Sequence, residues 1–285
     1  MPFLKFNLKR LPAKGTNVGL FAGEGDLPLQ VARRLLDLGY GLTIYAVSPS
    51  QARVKALEAF SKDVVIGPLS DARRGLEDLK KKKIGYLTLV GKLSKNKIYT
   101  EALNGDNLVK DTFMQTGNGK GDHRLLKTLS GILKLNGIQV LGLADLLQSE
   151  LATSGNMNGV DVPVSVRKDL KFGYQIAKTM GRMDIGQAVV VCRESVVAVE
   201  AMEGTNRMIE NAGSLGIAGA VMVKAAKPQQ DLRFDLPVIG PDTLALAKTA
   251  GLIALGLEAG RCLIMNREAT LKQAKAMGIA MVGLS

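Results

Sequence analysis

Five short blocks hold the residues best suited to chemistry, each where an apolar run gives way to glycine, proline or charge. In Gly19-Leu20-Phe21-Ala22-Gly23-Glu24-Gly25-Asp26-Leu27-Pro28 a strand runs into a glycine turn and then a helix start. Backbone N–H groups at such a junction can face a phosphate or diphosphate, and Gly23 and Gly25 would let it come close. A tight turn with no ligand explains the same pattern. The third glycine of a dinucleotide fingerprint would fall at Pro28, so NAD binding is not indicated. Asp184-Ile185-Gly186-Gln187 joins a helix to a strand, where Asp184 suits a turn. In Glu200-Ala201-Met202-Glu203-Gly204-Thr205-Asn206, Thr205 is a plausible N-cap and Glu203 could bind a metal or a hydroxyl; two solvated acids on a capped turn are the plainer alternative. The longest block runs from Lys224 through Lys227-Pro228-Gln229-Gln230-Asp231-Leu232-Arg233-Phe234-Asp235 to Pro237. Its cations can hold phosphate oxygens, and Asp231 or Asp235 can hold Mg²⁺, which favours carboxylates together with substrate phosphates. A surface ion-pair loop would have the same composition. Last, Glu258 lies between glycines in Gly256-Leu257-Glu258-Ala259-Gly260, as a carboxylate that could bind a ligand or support one that does.

Composition removes several chemistries. His123 is the single histidine, so a dinuclear centre built on several histidines is impossible, and no Gly-x-Ser-x-Gly elbow accompanies a serine triad. Cys192 and Cys262 both sit in apolar stretches, as buried reduced thiols do, and give neither a disulfide framework nor a cysteine-rich zinc site. The net charge is +12, and residues 1–150 carry 23 Lys and Arg against 14 Asp and Glu, so the basic excess lies in the first half. Anionic partners follow from that balance. Nucleic acid is the weakest of them, because Trp is absent and aromatics make up 4%, leaving few stacking platforms. No apolar run approaches the roughly 18 to 20 residues a membrane span needs, and no secretory leader is evident, so a cytoplasmic location is expected.

The elements that must position these blocks alternate strand and helix. Strands are expected at Asn17–Ala22, Leu42–Val47, Asp63–Ile66, Ile84–Val90 and Ile138–Leu141, with helices at Leu27–Leu38, Ala72–Lys81 and His123–Leu135. That rhythm predicts a parallel sheet with helices on its faces. A polar stretch follows and predicts a linker at 148–165. Residues 166–182 read as an amphipathic helix. Ala188–Cys192 and Ser195–Val199 read as a hairpin turning at Arg193-Glu194. Helices at Thr205–Ala212, Asp242–Ala250 and Arg267–Met277 then alternate with strands at Ala218–Val223, Gly251–Gly256, Cys262–Met265 and Ala280–Leu284. The expected division is an extension at 1–16, a Rossmann-like domain at 17–147, the linker, and a catalytic α/β domain at 166–285. The extension mixes cations with Phe and Leu, and it is read as frayed or docked rather than as a membrane foothold.

Taken together and in order, the five blocks resemble the LpxI-type UDP-2,3-diacylglucosamine pyrophosphatases, from about Asn17 to the C-terminus. The resemblance implies two α/β domains with a ligand cleft between them. It implies Mg²⁺-dependent cleavage of UDP-2,3-diacylglucosamine to UMP and 2,3-diacylglucosamine 1-phosphate, an early step of lipid A synthesis at the cytoplasmic face of the inner membrane. The family's essential aspartate, in its Arg-x-Asp-Leu-Pro block, corresponds to Asp235. Asp235 is accordingly expected to be the main metal ligand of a Mg²⁺-assisted cleavage, with Glu203 or Asp231 supporting. Gly23, Gly25, Gln187, Thr205, Lys227 and Arg233 are the expected substrate contacts. A membrane surface is an expected partner and nucleic acid is not; a homo-oligomer is allowed. Where the family commonly has Glu-Gly-Thr-Asp this chain has Asn206, which keeps a carbonyl oxygen and loses a charge. The competing expectation is a non-catalytic binder of a nucleotide sugar or lipid.

Overall fold

The computed structural model describes residues 11–47, 49–68, 71–91 and 130–285. The chain divides into two compact units, Met1–Leu146 and Leu147–Ser285.

In the first unit, β1 (Asn17–Ala22), β2 (Gly41–Val47), β3 (Val64–Gly67), β4 (Tyr86–Val90) and β5 (Gln139–Val140) form one sheet in the order β3-β2-β1-β4-β5. Every pairing in it is parallel. The inner strands are nearly continuous apolar runs because both faces are covered: Val18, Leu20 and Ile44 are fully buried. Helix α1 (Leu27–Asp37) starts with Pro28 in its first turn, where a missing N–H costs nothing, and buries Val31, Ala32 and Leu35. α2 (Gln51–Glu58) is capped by Ser50, whose hydroxyl accepts from the Arg53 N–H. α3 (Ala72–Lys81) and a short α4 (Leu143–Leu146) complete the named helices of this unit. Of the helix expected at His123–Leu135, residues 130–135 are helical; His123 and the rest of it lie outside the described residues, as do residues 1–10 of the expected extension.

The second unit is built on a six-stranded sheet of β6 (Gly155–Asn156), β7 (Ala188–Cys192), β8 (Ser195–Val199), β9 (Val221–Lys224), β11 (Ala254–Glu258) and β13 (Ala280–Leu284). The strand order is β6-β13-β11-β9-β7-β8. β13, β11 and β9 run parallel, and β7 is antiparallel to both β9 and β8. A parallel pair, β10 (Val238–Ile239) and β12 (Leu263–Ile264), lies apart from it. Helix α5 (Val164–Arg182) packs over one face through Val166, Leu170, Ala177 and Met180 against Val189, Val191, Val221 and Val223. The other face meets α6 (Thr205–Ser214), α7 (Pro241–Thr249) and α8 (Arg267–Ala276) in a second core of Met208, Ile209, Met222, Leu244, Leu255 and Ala274. The inner strands β7, β9, β11 and β13 are thus covered on both sides, the edge strands β6 and β8 stay largely exposed, and the unit is a three-layer α/β structure.

The stretch expected as a linker behaves as part of this second unit. The Ala152 N–H donates to the Cys262 carbonyl, β6 pairs with β13, and the Asn158 side chain bonds both the Ile279 carbonyl and the Met281 N–H. Its polar composition has a physical reason: these side chains satisfy backbone groups at a sheet edge rather than solvating a free segment.

Candidate functional site

Parallel strands bring their carboxyl ends to one edge, and that edge is where open α/β sheets bind ligands. In the second unit β8, β9 and β11 all end there, and the antiparallel β7 begins there. Four of the five blocks follow or precede those ends. Asp184–Gln187 leads into β7, Glu200–Thr205 leaves β8, Lys224–Asp235 leaves β9, and Glu258 closes β11.

Local bonds tie them together. The Gln187 N–H donates to Glu200 Oε2 at 3.2 Å, and the Gln187 carbonyl accepts from the Ala225 N–H at 2.9 Å. Gly186 is required by contact: a Cβ there would sit 1.9 Å from the Glu200 carbonyl oxygen. Lys227 Nζ reaches Asp184 Oδ1 at 2.6 Å, linking the second block to the fourth. Asp184 adopts φ 58°, and its side chain is 70% exposed.

Thr205 is not the N-cap of α6. Gly204 holds that place at φ 84°, and the Thr205 hydroxyl donates to Glu200 Oε1 at 2.6 Å while accepting from Lys224 Nζ at 2.8 Å. Lys224 also donates to the Val238 carbonyl. Glu200 and Lys224 are both buried, so each must be neutralised or hydrogen-bonded nearby, and the threonine between them supplies the bridge. The burial of these two charges, which their blocks alone do not reveal, depends on β8 and β9 lying two strands apart in one sheet.

The Lys224–Asp235 loop is tightly wound. The Lys227 N–H donates to Gln230 Oε1 at 3.0 Å, and Gln230 Nε2 donates to Asp235 Oδ2 at 2.7 Å, so one side-chain amide orients both ends. Phe234 and Asp235 both donate their N–H to the Asp231 carbonyl. Asp235 is exposed, between the buried Phe234 and Leu236. Asp231 accepts from Arg233 on both carboxylate oxygens, with Nη2 at 2.6 Å from Oδ2, and that ion pair raises the Arg233 pKa. The two residues expected separately as metal ligand and phosphate holder are therefore engaged with one another. Glu203 is exposed and accepts from the Ala201 N–H at 3.3 Å. Gln187 Oε1 is buried with no hydrogen-bond donor among the described residues, which marks it as an acceptor awaiting one.

Among the described residues no group of three or more His, Cys, Asp or Glu side chains could hold a metal ion. Mg²⁺ is commonly held by one or two carboxylates with substrate phosphates supplying the rest, and the exposed Asp235, oriented by Gln230, fits that sparse donor set. Cys262 is inert by comparison: full burial, before any neighbouring charge, pushes its thiol up to about 12.

In the first unit the glycine turn lies at the topological switch between β2 and β4, on the carboxyl end of β1. The Gly23 N–H donates to the Val90 carbonyl at 2.8 Å, and a Cβ on Gly91 would meet Gly23 backbone at 2.8 Å. Two glycine segments therefore pass each other closely there, while Gly25 takes φ 90° and faces open space. Arg53 pins the turn by donating to the Gly25 carbonyl. A separate cavity of about 480 Å³ is lined by Tyr45, Val47, Val65, Leu76, Leu87 and Leu89 and does not include the glycine turn.

A family model described as the LpxI N-terminal domain matches residues 17–150, and one described as the LpxI C-terminal domain matches residues 153–282. The chain is 29% identical over 279 residues to the UDP-2,3-diacylglucosamine pyrophosphatase LpxI of Caulobacter vibrioides, a match covering 94% of this chain and 97% of that protein.

Proposed function

Because the chain belongs to the LpxI family across both of its domains, we propose that it hydrolyses the pyrophosphate bond of UDP-2,3-diacylglucosamine, with Mg²⁺, to UMP and 2,3-diacylglucosamine 1-phosphate. The observation that carries this reading is the gathering of four chemistry-bearing blocks at one carboxyl edge of the second unit's sheet, with the Asp235 carboxylate exposed among them.

A diphosphate resists attack because its oxygens repel a nucleophile. Mg²⁺, when bound, neutralises those oxygens and the charge that develops on the leaving phosphate. In this chain Asp235 would hold it, with Glu203 a further exposed carboxylate at the same edge. Gln230 fixes the direction of Asp235, so little reorganisation is needed as charge develops. Lys227 and Arg233 carry cationic heads already held by Asp184 and Asp231, and an arriving diphosphate would compete for them with greater charge. Gln187 Oε1 would accept from a hydroxyl or amide of the glucosamine. Gly23 and Gly25 suit the phosphates of the nucleotide.

The substrate's acyl chains need apolar surface. Met183, Ile185 and Met202 are 67%, 44% and 97% exposed, on the two loops joined through Gln187 and Glu200. Among the described residues no helix is long and apolar enough to cross a membrane. A lipid substrate would be drawn from a membrane surface, which this reading places at the cytoplasmic face of the inner membrane.

The test is incubation of purified protein with UDP-2,3-diacylglucosamine, with and without Mg²⁺, followed by mass analysis. Release of UMP and the 1-phosphate only with Mg²⁺ is expected. Tight binding with no UMP release under either condition would instead establish a non-catalytic binder.

A further inference from the structure

Glu258 ends β11 and is 6% exposed. Its Oε2 accepts from the Ala226 N–H at 2.8 Å, and Lys178 Nζ lies 2.9 Å from Oε1 and 3.1 Å from Oε2. Lys178 also donates to the Ala226 carbonyl at 3.0 Å. One residue of the loop thus has both of its backbone polar groups held by the two halves of a single ion pair. Tyr174, one turn earlier on α5, donates its hydroxyl to Glu258 Oε1 at 3.3 Å, and Arg261 adds a charge contact at 3.7 Å. Burial first, then the neighbouring Glu258 carboxylate, pushes the Tyr174 phenol up to about 12, so it stays a donor.

The amides leaving β9 are captured one after another: Ala225 by the Gln187 carbonyl, Ala226 by Glu258, Lys227 by the Gln230 side chain. Gln230 is the residue that orients Asp235. A carboxylate with three hydrogen-bond donors and a nearby guanidinium around it is neither open to solvent nor free to take a metal. An ion pair this buried adds little net stability against an apolar replacement, whereas it fixes geometry.

We infer that the Glu258–Lys178 pair is a positioning device that clamps the backbone of Ala226 and so sets the course of the loop carrying Lys227, Gln230 and Asp235. For its catalytic consequence the inference rests on the hydrolase reading above. Lys227 has a separate anchor in Asp184, so ground-state binding should suffer less than the placement of Asp235.

The experiment uses the full chain and the variants Glu258→Gln, Lys178→Gln and Lys178→Arg, read by amide hydrogen exchange and by steady-state UMP release from UDP-2,3-diacylglucosamine. In the two Gln variants, exchange across residues 225–236 should quicken about tenfold or more while β9 and β11 stay as protected as in the unaltered protein. Their kcat should fall roughly 100-fold, as expected for a displacement near 1 Å, with KM changed less than about threefold. Lys178→Arg should recover most of kcat. Unchanged exchange in the loop overturns the inference. Equal acceleration through the whole second unit in both Gln variants, or a rise in KM at constant kcat, does so too. If the unaltered protein releases no UMP the hydrolase reading fails, and the exchange measurement still decides the clamp.

Discussion

At Asp235 one exposed carboxylate carries the proposed chemistry, and among the described residues the amide of Gln230 is what holds it. Asp235→Ala should therefore bind substrate and lose turnover by roughly 100- to 10,000-fold, the range for a group acting in the transition state. The measurement is UMP release beside direct substrate binding, and retained turnover removes Asp235 from the mechanism. Gln187 makes a different prediction. Its buried acceptor has no donor among the described residues, so removing it takes away an unsatisfied group. Gln187→Ala should raise KM about tenfold, about 1.4 kcal/mol, without lowering Tm. A lower Tm with an unchanged KM would make Gln187 a packing residue instead.

Among the elements, the β7–β8 hairpin shows how a helix secures a turn it does not belong to. Arg193 and Glu194 turn the chain at φ 52° and 54°, as a two-residue turn of this hand requires, with neither glycine nor asparagine to ease the strain. The buried carboxylate of Asp169 on α5 accepts both of their N–H groups, at 2.9 and 2.6 Å. Asp169→Ala leaves those amides without their acceptor and should cost about 2 kcal/mol or more in urea unfolding. An unchanged midpoint would show that the hairpin needs no such tie. The hairpin matters because β7 begins beside Gln187 and β8 ends beside Glu200.

For the molecule as a whole, stability against pH is set partly by an ionic cluster in the first unit. Lys82 bridges Asp63 at 2.7 Å and Asp78 at 3.1 Å, and Thr43 donates to Asp63 at 2.8 Å. Burial works to raise the Asp63 pKa, but the bonds from Lys82 and Thr43 outweigh it and hold the carboxyl below its usual range. Its stabilisation is then complete above the unfolded pKa of about 3.9 and is lost as pH falls through the lower folded value. Burial likewise opposes the Lys82 ammonium, and Asp63 and Asp78 together raise its pKa, so that contribution holds below about pH 10 and fades as pH rises through the folded value. Asp63→Asn should lower Tm at pH 7 and approach the unaltered protein near about pH 2 to 3. An equal Tm deficit at both pH values would show that the carboxylate acts by packing rather than charge.

What the sequence determined by itself was local. The strand at Ala280–Leu284 and the turn at Arg193-Glu194 fall where apolar alternation and polar breaks predict them, because short-range patterning fixes them. The α/β class and the order of the five blocks were equally legible, and β9, expected at Ala218–Val223, shifted to Val221–Lys224 because pairing with β11 decides where it ends. Only the tertiary structure decided that 148–165 is an edge of the second unit, that Thr205 bridges buried Glu200 and Lys224, and that Lys178 meets Glu258. Lys178 sits mid-helix with nothing beside it in sequence to mark it, and its partner lies 80 residues away. A charge becomes buried, and so compelled to find its partner, only when strands distant along the chain are brought side by side in the sheet.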